Sequence, residues 1–294
     1  MAGRCSGRAG SLPHAMPSRI FAPGLLDGQI AVLSGAGSGL GRATAIELAG
    51  CGATVVAVGR RLEPLEETAS LCAPGRCEAV ARDIREEAEV SALVDGVLER
   101  HGRVDLLVNN AGGQFLSPAE DVSPKGFRAV VRLNLEGTWL MTHTVATRAM
   151  IPAGSGRVVS VTLTPRNGMP GMVHSGAARA GVENMTRTLS VEWARFGVRI
   201  NAIAAGFFDT AILAKYPRAM HEGLARTVPA QRLGRPEELA WLVAYLASPA
   251  AGFLTGAVLA LDGGRDNWLG PWPPEGLADD EGKPLAEERR AREP

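Results

Sequence analysis

The sequence predicts an α/β domain, a doubly wound parallel sheet of about seven strands with helices on both faces. Three observations predict it. Short apolar segments recur at 30–33, 53–58, 77–82, 104–108, 156–161, 199–203 and 257–261. Segments with helical spacing separate them through short links, and that alternation gives parallel rather than hairpin pairing. The first strand also runs straight into a glycine-rich turn, SGAGSGLG at 34–41, that opens the first helix.

That turn organises the chain. Gly35, Gly39 and Gly41 let the backbone bend sharply and approach a ligand with no Cβ in the way. Free N–H groups at the start of the helix 42–49 then suit a pyrophosphate. The spacing is GxxxGxG, one residue longer than the commonest fingerprint. The second strand ends at Gly59-Arg60-Arg61, where a dinucleotide would present its adenosine ribose. An acid there holds a 2′-hydroxyl, whereas arginine suits a 2′-phosphate, so NADP(H) is favoured over NAD(H). A solvated pair opening the helix 62–71 is the plainer alternative.

The third strand, 77–82, closes at Asp83, and the fourth, 104–108, runs into Asn109-Asn110-Ala111-Gly112. Gly35, Arg60, Asp83 and Asn110 thereby fall on the carboxyl edge of the sheet, where ligands bind. The helix 86–101 turns Val90, Leu93, Val94, Val97 and Leu98 to one side. Residues 123–150 read as one long helix with Asn134 in its middle, where an amide competes with backbone hydrogen bonds. Asn134 is therefore either functional or a satisfied buried amide. Helices at 174–196 and 236–247 flank a mixed segment at 206–235.

Composition narrows the partners. With 31 basic and 31 acidic side chains in 294 residues, net charge draws the chain to neither nucleic acid nor an anionic membrane. No apolar run approaches the ~20 residues of a membrane span, and a cytoplasmic location is expected. Four cysteines, at 5, 51, 72 and 77, make no CxxC pair, and no metal site is assigned. Residues 1–20 are expected to be a disordered basic extension, with Met16 an alternative start. The domain then spans 21–266, and 267–294 form a Gly-, Pro- and charge-rich tail.

SGAGSGLG at 34–41, NNAG at 109–112, Asn134 in a long helix, and AAG followed by Thr210 together resemble the short-chain dehydrogenase/reductase family, from about residue 24 to about 266. The resemblance implies a Rossmann-type domain. It implies that Ser38 and Leu40 contact the pyrophosphate, Asp83 and Ile84 the adenine, Asn110 and Ala111 the ribose region, and Thr210 the nicotinamide carboxamide, with Gly112 also at the cofactor. Subunits would pair through the helices 123–150 and 174–196, as a homodimer or homotetramer.

The family's usual serine, tyrosine and lysine are absent. Leu163 takes the serine position, Ser175 the tyrosine's and Arg179 the lysine's, within HSGAARAGV at 174–182. That stretch, with QFLSPAEDVSPKGF at 114–127 and SPAAGFLTG at 248–256, resembles the branch that reduces enoyl thioesters, the peroxisomal trans-2-enoyl-CoA reductases and, more distantly, the 2,4-dienoyl-CoA reductases. In the former a tyrosine stands where this chain has Glu183.

Chemistry accounts for the loss. Ketone reduction leaves an alkoxide that needs a proton on oxygen, hence a tuned phenol. Reduction of an enoyl thioester leaves an enolate, which needs donors at oxygen and takes its proton at carbon from water. Asn134 and Ser175 are candidate donors, Arg179 would fork onto the nicotinamide ribose, and His174 is the nearby group that titrates near neutrality. Met169, Met172, Phe207, Phe208 and Ile212 would line an acyl channel, or belong to the core. Lys125, Arg166, Arg218, Arg226, Arg232 and Arg235 would meet CoA phosphates, or be a scatter of solvated charge. Two further readings stay open: an alcohol/ketone enzyme with unconventional residues, and a non-catalytic nucleotide-binding subunit.

Overall fold

The computed structural model describes residues 18–164, 168–211, 213 and 223–268. The extension before Ser18, the tail after Trp268, and Arg166, Ile212 and Arg218 lie outside the described residues.

Seven parallel strands form one sheet: β1 (Ile30–Ser34), β2 (Thr54–Gly59), β3 (Cys77–Ala81), β4 (Leu106–Asn109), β5 (Gly156–Leu163), β6 (Val198–Ala205) and β7 (Val258–Leu261). Their order is β3-β2-β1-β4-β5-β6-β7, so the direction of winding reverses between β1 and β4. In that register Ser34 lies opposite Asn109, which brings the glycine turn and the NNAG segment to one crevice.

Strand alternation serves two cores. Ala31 and Leu33 of β1 face a cluster with Leu48 of α1 (Gly39–Gly50), Leu65 of α2 (Leu62–Leu71) and Val243. Ile30 and Val32 face the other, with Val94 and Val97 of α3 (Glu87–His101), and Met141 and Trp193. Successive side chains of a strand point to opposite faces, so one apolar run feeds both layers.

The long helix is present but not uniform. α4 (Pro124–Val131) passes into a π-helical turn (Arg132–Glu136), then α5 (Gly137–Val145), a second π turn (Ala146–Met150) and a short α6 (Ile151–Ala153). Ser123 caps its start, its hydroxyl accepting the Gly126 N–H at 3.1 Å. α7 (Val173–Trp193) and α8 (Pro236–Ala247) complete the layers.

Candidate active site

The crevice is built from backbone first. Gly35 adopts φ +69°, and a Cβ on Gly41 would fall 2.2 Å from the Gly35 carbonyl oxygen, so a side chain at either position breaks the turn. Ser34 supplies the lock. Its buried hydroxyl accepts the N–H groups of Asn110 at 3.2 Å and Ala111 at 3.1 Å. Asn110 returns its carboxamide N–H to the carbonyls of Ser34 and Gly35, at 3.2 and 3.1 Å. The Asn110 side chain thus shapes the turn as well as lining the crevice. From the other side, the Thr68 hydroxyl donates to Ala36 O at 2.9 Å, and Arg42 to Gly37 O at 2.8 Å.

Ser38 precedes α1 without making a side-chain cap, which leaves the first-turn N–H groups for a ligand. In front of them lies a cavity of about 400 Å³ lined by Gly35, Ser38, Gly39, Leu40, Gly41, Arg60, Arg61, Asp83, Ile84, Asn110, Ala111, Gly112 and Thr210. Each of these positions is one the sequence places with the cofactor. Arg82 joins them, a third guanidinium in the lining with Arg60 and Arg61 and one that no motif of the sequence marks. Asp83 is held by Arg85, whose Nε lies 2.9 Å from Oδ1, and that pair keeps its carboxyl below the usual range.

Four residues of this cavity, Leu40, Asn110, Gly112 and Thr210, also line a second one of about 240 Å³. Its far walls are apolar, with Met169, Met172, Phe207, Phe208, Leu213 and Leu224. The two cavities therefore meet where the family's chemistry is expected. Of the charges considered for CoA, Lys125 and Arg226 are exposed. Arg232 is committed to Glu238, at 2.7 Å, and with Arg235 nearby lowers that carboxyl to about 2.

At the junction, Asn134 sits fully buried in the first π turn. A π turn widens the helix locally, and the carboxamide bonds outward rather than to its own helix. Its Oδ1 accepts the Gly113 N–H at 2.9 Å, and its Nδ2 donates to the Gly113 carbonyl at 3.0 Å. The same Nδ2 lies 3.5 Å from Ser175 Oγ, and the Ser175 hydroxyl donates to Gln114 Oε1 at 2.8 Å. Gln114 borders the second cavity and is a residue the sequence reading did not single out. What marks it is adjacency, since it follows Gly113 directly.

Arg179 is 8% exposed, and its Nε and Nη1 have no partner among the described residues. Burial pulls its pKa down to about 10. His174, the candidate that titrates near neutrality, is fully buried. Its ring packs edge-on to Phe115 with centroids 4.2 Å apart, its Nδ1 accepts the Ser175 N–H at 2.7 Å, and burial lowers its pKa. Among the described residues no group of histidine, cysteine and carboxylate side chains could hold a metal, and no helix is long and apolar enough to cross a membrane.

Residues 35–266 match the family model described as enoyl-(acyl carrier protein) reductase. The chain belongs to the short-chain dehydrogenase/reductase family. Members of that family are oxidoreductases that use a nicotinamide dinucleotide, and the glycine cradle, the open helix start and the junction fit one. Among short-chain dehydrogenase/reductases, a probable 2,4-dienoyl-CoA reductase of Bacillus subtilis is 37% identical, over 82% of this chain and 97% of its own length. A cis-4-hydroxycyclohexanecarboxylate dehydrogenase of Sinomonas cyclohexanicum is 39% identical, over 80% and 96%. The solved citronellol catabolism dehydrogenase (AtuB) of Pseudomonas aeruginosa PAO1 superposes with TM-score 0.76 at 44% identity, over 84% of this chain and 98% of that one.

Proposed function

We propose that the protein reduces 2-enoyl or dienoyl thioesters, with CoA as the carrier and NADPH as the hydride source. The observation that carries this reading is the set of groups around Ser175. Asn134 and Ser175 are hydrogen-bonding groups that do not titrate near neutrality, and the buried His174 is biased to its neutral form. Such a site can hold negative charge on an oxygen yet presents, among the described residues that line the two cavities, no phenol to protonate an alkoxide.

The bound dinucleotide supplies the hydride. The chain's own residues do the rest. The turn at 34–41 and the start of α1 hold the pyrophosphate, and Thr210 and Arg179 flank the nicotinamide half. Arg60, Arg61 and Arg82 around the adenosine end support NADPH over NADH, because guanidinium forks match a 2′-phosphate. Met169, Met172, Phe207 and Phe208 offer the acyl chain an apolar wall that also excludes water. The exposed Trp139 and Val191, on α5 and α7, support pairing of subunits through those helices.

The test is absorbance at 340 nm with purified protein, NADPH or NADH, and crotonyl-CoA or decenoyl-CoA, with acetoacetyl-CoA as control. NADPH consumption with the enoyl thioesters is expected. Consumption with the ketone alone would replace this reading with the dehydrogenase one, and consumption with neither would favour a non-catalytic subunit.

A further inference from the structure

The hydrogen bonds around Ser175 have a fixed direction, and it ends on Gln114. Asn134 cannot flip its carboxamide, because Oδ1 takes the Gly113 N–H while Nδ2 gives to the Gly113 carbonyl. Asn134 therefore presents N–H to Ser175 Oγ. A hydroxyl has one proton, and at 2.8 Å that of Ser175 is given to Gln114 Oε1. The orientation of Gln114 follows. Its carbonyl end faces Ser175, its Nε2 keeps both protons, and neither has a partner among the described residues. Gln114 lines the substrate cavity, and neither Ser175 nor Asn134 does.

We propose that the Gln114 carboxamide, through Nε2–H, is the catalytic donor to the carbonyl oxygen of the substrate, and that Asn134 and Ser175 are positioning residues behind it. The proposal rests on the thioester reading for its substrate. Hydride adds to the β-carbon, the C=C electron pair moves into the Cα–C bond, and the carbonyl pair moves onto oxygen. Gln114 binds that oxygen without giving up a proton. The enolate then re-forms its carbonyl as Cα takes a proton from water, and the dinucleotide leaves oxidised. The relay also polarises the amide, since its carbonyl already accepts a hydrogen bond.

The experiment compares wild type with Gln114→Ala, Gln114→Glu and Ser175→Ala on crotonyl-CoA and NADPH, with NADPH affinity measured by fluorescence as the check that each variant is folded. Gln114→Ala is expected to lose about 100-fold in kcat, the usual effect of one oxyanion donor, with NADPH affinity unchanged. Gln114→Glu should be nearly inactive at pH 8 and recover as pH falls, because a carboxylate repels the oxyanion and a carboxylic acid donates to it. Ser175→Ala should lose about tenfold or less, having untethered the donor without removing it. A Gln114→Ala enzyme within threefold of wild type, a flat pH profile for Gln114→Glu, or a loss in Ser175→Ala exceeding that in Gln114→Ala would overturn the proposal. Wild type inactive on every enoyl thioester would instead sink the functional reading, and the same variants on the substrate then found would still decide the role of Gln114.

Discussion

Gly112 and Arg179 stand so close that a Cβ on Gly112 would fall 2.0 Å from Arg179 Nη2. The bare backbone at Gly112 is thus the wall against which the buried guanidinium rests. Both residues line the cavity next to the crevice, so this contact sets where a guanidinium whose Nε and Nη1 have no partner among the described residues points. A lysine would carry one point charge there, whereas the guanidinium offers several donors in a plane.

Gly112→Ala is therefore expected to push Arg179 out of place. Overpacking of this kind costs about 1–3 kcal/mol, and a displaced Arg179 should weaken NADPH binding by about tenfold or more. Melting temperature and NADPH titration measure the two effects. Arg179→Ala, which removes the obstacle, should weaken NADPH binding while making the Gly112→Ala substitution nearly neutral for stability. Additive losses in the double variant would refute the contact.

A second expectation concerns cofactor choice. Removing Arg60 or Arg61 should raise the Kd for NADPH by about tenfold, on the ~1.5–3 kcal/mol scale of hydrogen bonds to charged groups. NADH binding should hardly change. Equal losses for both dinucleotides would mean that these arginines do not face a 2′-phosphate.

The third concerns the lock on the turn. Ser34→Ala strips the acceptor from two N–H groups, those of Asn110 and Ala111, in a fully buried position. Unsatisfied buried groups cost about 1–3 kcal/mol, so a melting temperature several degrees lower is expected, together with weaker binding of either dinucleotide. Unchanged stability would show that Asn110 holds the turn by itself.

Periodicity and glycine placement were enough to read the sheet, because each strand is a short apolar run feeding two cores, as Ile30 to Leu33 do. The carboxyl-edge residues were legible for the same reason: topology alone puts Gly35, Arg60, Asp83 and Asn110 on one side. Asn134 was visible as a misfit in a helix, but not the π turn that accommodates it, since π turns depend on tertiary bonding such as that to Gly113. Gln114 and Arg82 were not visible, being polar residues whose meaning comes only from what lies across the crevice. The sequence offers His174 as the nearby group that titrates near neutrality, with nothing local to say whether it is covered. Its burial against Phe115 comes from the 114–117 segment folding over the start of α7, which no local pattern encodes.

That burial yields the last prediction. The pKa of His174 is lowered in the folded state, so below its unfolded value of about 6.5 the unfolded chain binds more protons than the folded one. Stability accordingly falls as pH drops below about 6.5 and is fully restored above it. Asp83 and Glu238 are shifted the same way by their arginine partners, but they lose their contribution only at lower pH, within and below the carboxylate range. Thermal melts at pH 7.5, 6.5 and 5.5 separate the two effects. Wild type is expected to lose stability across that range, and His174→Gln to lose clearly less. The reductase rate should show no matching change from pH 7.5 to 8.5, where the imidazole is neutral throughout. A rate that rises and falls with a group titrating near neutrality, and flattens in His174→Gln, would instead make this histidine the proton donor.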